Sequence, residues 1–149
     1  MILTLYSGVM QPKYDTQWVQ GMLAKLAKSK FRASFTLSVK DRAYARSKGL
    51  DTIDRHAHDM LGTRVGAAFP VKDGKQTPYR GHPVFTAQHA TGTCCRTCME
   101  RWYGIPKGHE LTPDEINHLS AVIMAWIERD MREHPVQAAS HEAEQLTLL

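Results

Sequence analysis

The stretch from Thr112 to Pro135 leaves the chain the least choice of structure. Thr112-Pro-Asp-Glu115 puts a hydroxyl N-cap before a proline at the first helical position, acidic side chains in the first turn, and a glutamate at the third position. Each of these satisfies or complements the free N–H groups of a helix start. Downstream, Ile116, Leu119, Ile123, Trp126 or Ile127, and Met131 recur at helical spacing and make one apolar face. The helix runs to about Glu133, and Pro135, without an N–H to donate, stops it. A helix this long with one apolar face has to bury that face against other elements, so the remainder of the chain must supply partners.

It supplies more helices. Asp15 can cap a helix from Thr16 to about Lys28, on which Trp18, Met22, Leu23 and Leu26 form a stripe. Phe31, Phe35 and Leu37 read as an extended or irregular apolar connector. Ser38 opens a Ser-x-x-Asp capping pattern for a helix to Lys48, and Gly49 suits its C-cap. A further helix starts at Asp51 or Thr52, carries Ile53, Ala57, Met60 and Leu61 on one face, and ends near Val65 and Gly66. Pro83 suits the first position of a short helix to about Ala90, and another starts near Cys94 and ends before Gly104. Helix dominates, so the fold class is mainly α: a compact single helical domain over 15–134. An N-terminal extension (1–14) precedes it, and a C-terminal tail (135–149) follows it, of which His141 to Leu149 reads as a frayed helix or unstructured.

Composition bounds the rest. At 149 residues, with 42% hydrophobic and 23% charged, the chain suits one domain with one core and excludes wholesale disorder. No apolar run approaches the ~20 residues that cross a bilayer, so no membrane partner is expected. The opening Met1-Ile-Leu-Thr-Leu-Tyr6 lacks a basic region and is too short for a secretory signal, which places the protein in the cytoplasm. Charge is divided unevenly. Residues 1–65 carry eleven Lys/Arg against five Asp/Glu, residues 66–108 six against two, and residues 109–149 two against eight. A basic first two thirds attracts phosphate backbones, although a solvated surface would look the same.

The chemistry concentrates between Lys75 and Tyr103. Gly66, Pro70, Gly74, Pro78 and Gly81 punctuate a long loop at about 66–82, and ordered loops of that length are often functional. After it come His82, His89, and Cys94, Cys95 and Cys98 within five positions. Three clustered cysteines are a poor disulfide framework and a better set of metal ligands or reactive thiols.

Three readings stand side by side. In the first, zinc takes Cys95-x-x-Cys98 as a half-site, with the remaining ligands drawn from His89, His82, Cys94 or His56. In the second, a Cys94 or Cys95 thiolate at a helix start is a nucleophile, with Arg96 lowering its pKa and His82 or His89 as base. In the third, the cysteines simply pack, His82 caps a helix, and Gln88, Thr91 and Thr93 satisfy the backbone of a tight turn. Around them Lys75, Arg80, Arg96 and Arg101 alternate with Tyr79, Trp102 and Tyr103; with Lys30 and Arg32 they are the candidate contacts for nucleic acid or another partner. The Gly74-Lys-Gln-Thr77 run lacks the glycine pattern and preceding strand of a phosphate-binding loop and is rejected as one.

Several blocks together resemble a bacterial and phage family, domain of unknown function 4186. They are Lys30-Phe-Arg32, Asp54-Arg-His-Ala57, Asp73-Gly-Lys-Gln-Thr-Pro78, Arg80-Gly-His-Pro-Val-Phe85, Gln88-His-Ala-Thr91, Thr93-Cys-Cys-Arg96 with Cys98, and Gly104-Ile-Pro-Lys-Gly108. The likeness spans roughly 22–132, and the family pattern carries Trp-His where this chain has Trp102-Tyr103. It implies a compact domain of bacteria and mobile elements with its polar signature in the 75–108 block, and no particular activity. The leading functional expectation is a small zinc-binding helical module that binds nucleic acid or a nucleoprotein through a basic face. One alternative is a mobile-element inhibitor of a host defence complex, its acidic end mimicking nucleic-acid charge. Another is a metal- or thiol-dependent enzyme on a nucleotide-like substrate, for which Cys94, His82 and His89 are the catalytic candidates.

Overall fold

The computed structural model describes residues 16–136. Within them the chain runs α1 (Thr16–Ala27), α2 (Lys30–Ala33), α3 (Val39–Lys48), α4 (Leu50–Arg64), α5 (Pro83–Thr91), α6 (Arg96–Tyr103) and α7 (Pro113–Glu133), with no strand among the described residues. The fold is mainly α, as the periodicity implied. Among the described residues no helix is long and apolar enough to cross a membrane. The Asp15 cap, the 1–14 extension and nearly all of the 135–149 tail lie outside the described residues.

Helix α5 is the hub. Its sequence, Pro-Val-Phe-Thr-Ala-Gln-His-Ala-Thr, carries no carboxylate, lysine or arginine, and every residue of it is buried. Its small side chains Ala87 and Ala90 are buried, α7 packs against it, and α1, α2, α3 and α4 also pack on α5. Helix α7 answers with Leu119, Val122, Ile123, Trp126 and Ile127, all buried; both alternatives at 126/127 face inward. Each such side chain contributes about 1.5–3 kcal/mol by leaving water. The Thr112–Glu115 capping box forms as its sequence requires, with Glu115 N–H donating to Thr112 Oγ1 at 3.1 Å and Thr112 N–H to Glu115 Oε1 at 2.9 Å.

Two local expectations change. Lys30–Ala33 is a helical turn, not extended connector, because Ser29 Oγ accepts the Arg32 N–H at 3.2 Å as an N-cap. Only residues 34–38 are irregular. Asp130, buried in α7, holds them in place by accepting from Thr36 Oγ1 (3.0 Å), Leu37 N (3.1 Å) and Arg42 Nε (2.7 Å). Trp18 belongs to no buried stripe; it is 38% exposed and lies edge-on to His118, while Val19, Met22, Leu23 and Leu26 face the core.

The long loop is stitched down from both sides. Leu111 N–H donates to Gly66 O (2.9 Å) and Gly108 N–H to Ala68 O (3.2 Å). Asp73 accepts from Arg96 N (3.0 Å), Gln76 Nε2 (2.9 Å) and Thr97 Oγ1, so the loop clamps the first turn of α6.

Candidate metal centre

Helix α5 stops at Thr91 because Gly92 takes a left-handed conformation (φ 71°), which a side chain there would disfavour. A Cβ at Gly92 would also lie 2.6 Å from the Trp102 ring, so only glycine fits the turn. The chain then doubles back, Thr93 N–H donating to Gln88 O at 2.9 Å, and Thr91 Oγ1 and Gln88 Nε2 satisfy nearby carbonyls. Cys94 and Cys95 follow at once. Cys95 is the N-cap of α6, its Sγ accepting the Cys98 N–H at 3.4 Å. A cap and the residue three positions on point the same way, which is why Cys-x-x-Cys converges here.

The outcome is that the Cys94, Cys95 and Cys98 sulfurs all lie within 4.8 Å of one another. Cys94 and Cys95 are buried and Cys98 is half-buried; all three are free thiols. A metal at ~2.3 Å from each sulfur spaces tetrahedral thiolates by about 3.8 Å, so the three cysteines are close enough to hold an ion.

Arg32, brought over by α2, closes the group. Its Nη2 donates to Cys98 Sγ at 3.2 Å, and its Nη1 faces Cys94 Sγ at 3.8 Å and donates to His89 O at 2.6 Å. Hydrogen bonds from Cys94 and then Cys95, together with Arg32 and against burial, hold the Cys98 thiol far below the usual thiol range. The same hydrogen bonds to Cys95 and Cys98, reinforced by burial, push Cys94 far up. Arg32 is itself raised: burial works against its charge, and the bonds to Cys98 and Cys94 overcome it. The hydrogen bonds from its neighbours and from Arg32 thus favour the thiolate form of Cys98 over that of Cys94.

The histidines proposed as ligands are elsewhere. His82 Nδ1 accepts the Val84 N–H at 3.0 Å as the N-cap of α5, so in the neutral ring Nε2 carries the proton and faces His56 Nδ1 at 3.0 Å. A nitrogen that must donate cannot also ligate. His89 Nε2 is committed to Thr77 O at 3.0 Å, with its ring stacked on Tyr79. No histidine nitrogen or carboxylate joins the three sulfurs in a common metal-sized group among the described residues. Neither His82 nor His89 hydrogen-bonds a cysteine sulfur, so Cys94 has no base poised for nucleophilic attack among the described contacts. Tyr103 donates its hydroxyl to Thr91 O at 2.6 Å, a packing role.

The candidate cations divide. Lys30, Lys75, Arg80 and Arg101 are exposed. Arg96 is fully buried and donates to Ala67 O (2.8 Å), His109 O (2.9 Å) and Pro106 O (3.0 Å), tying the two loops together. Arg32 is turned inward onto the thiols. Both are removed from the partner-binding set, because their guanidinium groups are spent on internal acceptors. Sequence reasoning missed the inward roles of Arg32 and Arg96, the Asp73 clamp and the His56–His82 pair. The visible signal for Arg32 was the Lys30-Phe-Arg32 block, which net charge alone assigned to the surface.

No solved structure matches the chain. A family model matches residues 20–128, a span covering all three cysteines, Arg32 and the 66–82 loop, and by that match the chain belongs to the family described as Domain of unknown function (DUF4186).

Proposed function

We propose that this chain is a zinc-binding helical module, its ion held by Cys94, Cys95 and Cys98, that engages nucleic acid or a nucleoprotein through exposed cations of its basic region. The convergence of three sulfurs beside one guanidinium carries the metal half of this reading. Thiolate ligands favour zinc among common divalent ions. Three thiolates around a divalent ion leave one net negative charge, which Arg32 balances, and a balanced buried centre avoids the cost of an uncompensated charge. Elemental analysis of the purified protein, with and without Cys95→Ser, tests it. One zinc per chain, lost in the variant, is expected. Protein that takes up no zinc even when reduced and reconstituted would remove the reading.

Support for the partner comes from the surface. Lys30, Lys75, Arg80 and Arg101 are exposed, and Phe31 and Tyr79, 52% and 58% exposed, lie among them in sequence. Cations interleaved with aromatic rings suit phosphates and bases. Filter binding over a salt series should give affinity that falls steeply with salt. No binding to any DNA or RNA at low salt would end this half of the proposal.

One observation favours a second reading. Among the described residues three cysteines and no fourth side chain would hold the ion, as in catalytic zinc sites that keep one position for water or substrate, and Arg32 donates to one of those ligands, Cys98. The chain would then hydrolyse a nucleotide-like substrate, with Arg32 steadying an anionic group. Zinc-dependent turnover abolished by Arg32→Met with zinc still bound would favour this reading. Absence of turnover on mono- and phosphodiesters would leave the binding module.

A further inference from the structure

We infer that the cleft between residues 34–38 and the Tyr79-Arg80-Gly81 turn is a stacking site for a nucleobase that carries a phosphate. The inference rests on the nucleic-acid half of the reading above and gives that partner a specific place. It is independent of the metal.

The cleft has a volume of about 710 Å³, within the range of small-ligand sites. Phe35, Tyr79, Arg80, Lys40, Thr36 and Ser38 line it. Tyr79 is its platform. One face of the ring lies on His89 at 3.8 Å between centroids and 8° between planes, yet the residue is 58% exposed, so the other face is open. Phe35 lies nearly parallel to it at 6.3 Å and 15°, widening the flat surface. The support beneath does not shift: His89 is buried and anchored through Nε2 to Thr77 O, and Phe35 also stacks on it. A base landing on Tyr79 would meet a surface already ordered, which lowers the entropic cost of binding.

The polar lining matches the rest of a nucleotide. Arg80 and Lys40 are exposed and make no hydrogen bond or ion pair among the described residues. By contrast, Arg32, Arg42 and Arg96 are each committed to internal partners. Two uncommitted cations beside an aromatic platform suit phosphate oxygens next to a stacked base. Asp41, the one carboxylate among the lining residues, suits a ribose hydroxyl or an exocyclic amine, since an ionised carboxylate only accepts. A lipid headgroup would need no flat ring, and an acidic peptide would gain nothing from the Tyr79–Phe35 plane.

The same chemistry is offered by a free nucleotide and by a single strand. Titration of the full-length protein with a nucleoside monophosphate and with a labelled ten-nucleotide single strand separates the two. Tyr79→Leu should weaken binding on the order of tenfold or more, and Tyr79→Phe should keep it within about twofold. Arg80→Gln should reduce the salt slope by about one. Thermal melts should be unchanged for Tyr79→Phe and Arg80→Gln and only slightly lowered for Tyr79→Leu, which gives up one packed face on His89. Strand binding that is indifferent to Tyr79→Leu and Arg80→Gln would overturn the cleft and leave the partner reading in place. Binding of the monophosphate alone, sensitive to Tyr79→Leu, would keep the cleft and make the ligand a free nucleotide. No binding of either probe would overturn both.

Discussion

Arg32 enters the interior on a four-residue helix, and its guanidinium donates to one carbonyl oxygen and reaches two sulfurs. A planar fork can reach Cys94 and Cys98 at once; an ammonium group cannot. A donor to a metal-bound sulfur both positions the ligand and offsets its charge, and losing such an outer partner typically costs 10- to 100-fold in metal affinity. If the cysteines hold zinc as proposed, Arg32→Met is therefore expected to lower zinc affinity by that order in a chelator competition, with Arg32→Lys recovering only part. Equal affinity in all three proteins would mean that Arg32 is merely packed. His82 offers a second prediction at this scale. Burial, and then the charge of His56, push its pKa down from 6.5 to about 4. The folded state thus refuses a proton that the unfolded chain accepts below about pH 6.5. Stability from this residue is full above that pH and is lost as pH falls toward 4. His82→Asn keeps a capping acceptor and removes the titration. Urea midpoints at pH 7 and pH 5 should differ less for the variant than for the parent protein, and an identical drop in both would sink the assignment.

At the scale of elements, the α5–α6 turn decides whether the sulfurs meet. Gly92 is needed there twice, for its φ of 71° and for the space taken by Trp102. Gly92→Ala should cost roughly 1 kcal/mol for the backbone alone. Displacing the indole adds to that cost. Chemical denaturation should show the loss, and zinc affinity should fall with it because the turn carries Cys94 and Cys95. A fully stable Ala variant would show that the turn can rearrange. This turn also marks where the sequence stopped being readable. Helix ends were legible because caps are local: Ser38, Pro83 and Thr112 bond to groups within three residues of themselves or stand at fixed positions. The three cysteines were legible as a group for the same reason, being five positions wide. What failed was everything settled at a distance. His82 sits close to the cysteines in sequence, yet its partner is His56, 26 positions away. Arg32 looked like one more surface cation until a fold joined it to a sulfur 66 positions on. Arg96, beside the cysteines, was spent on three loop carbonyls that no spacing rule predicts.

For the whole molecule, the question is how much of the fold depends on the centre. Zinc fingers have little core and unfold when the metal leaves. This chain has a separate reservoir: Leu23, Ile53, Leu61, Leu119, Ile123 and Ile127, spread over α1, α4 and α7, are almost wholly buried and touch no metal ligand in sequence. The cysteines stand where α5 passes into α6, tied in by Arg32 at Cys98, by Thr77 Oγ1 donating to Cys94 O at 2.8 Å, and by the Asp73 clamp on α6. On the proposed zinc reading, removing the ion should loosen α2, the α5–α6 turn and the 66–82 loop while the α1–α4–α5–α7 body stays helical. A ligand present at a thousandfold its Kd stabilises by about 4 kcal/mol, and in a domain of this size each kcal/mol moves Tm by roughly 2–4 °C. A chelator under reducing conditions should thus lower Tm by about 10 °C and leave most of the far-ultraviolet helical signal. Collapse of that signal would make the centre the source of the fold. No change in Tm for protein shown to carry zinc would place the ion somewhere other than these three sulfurs.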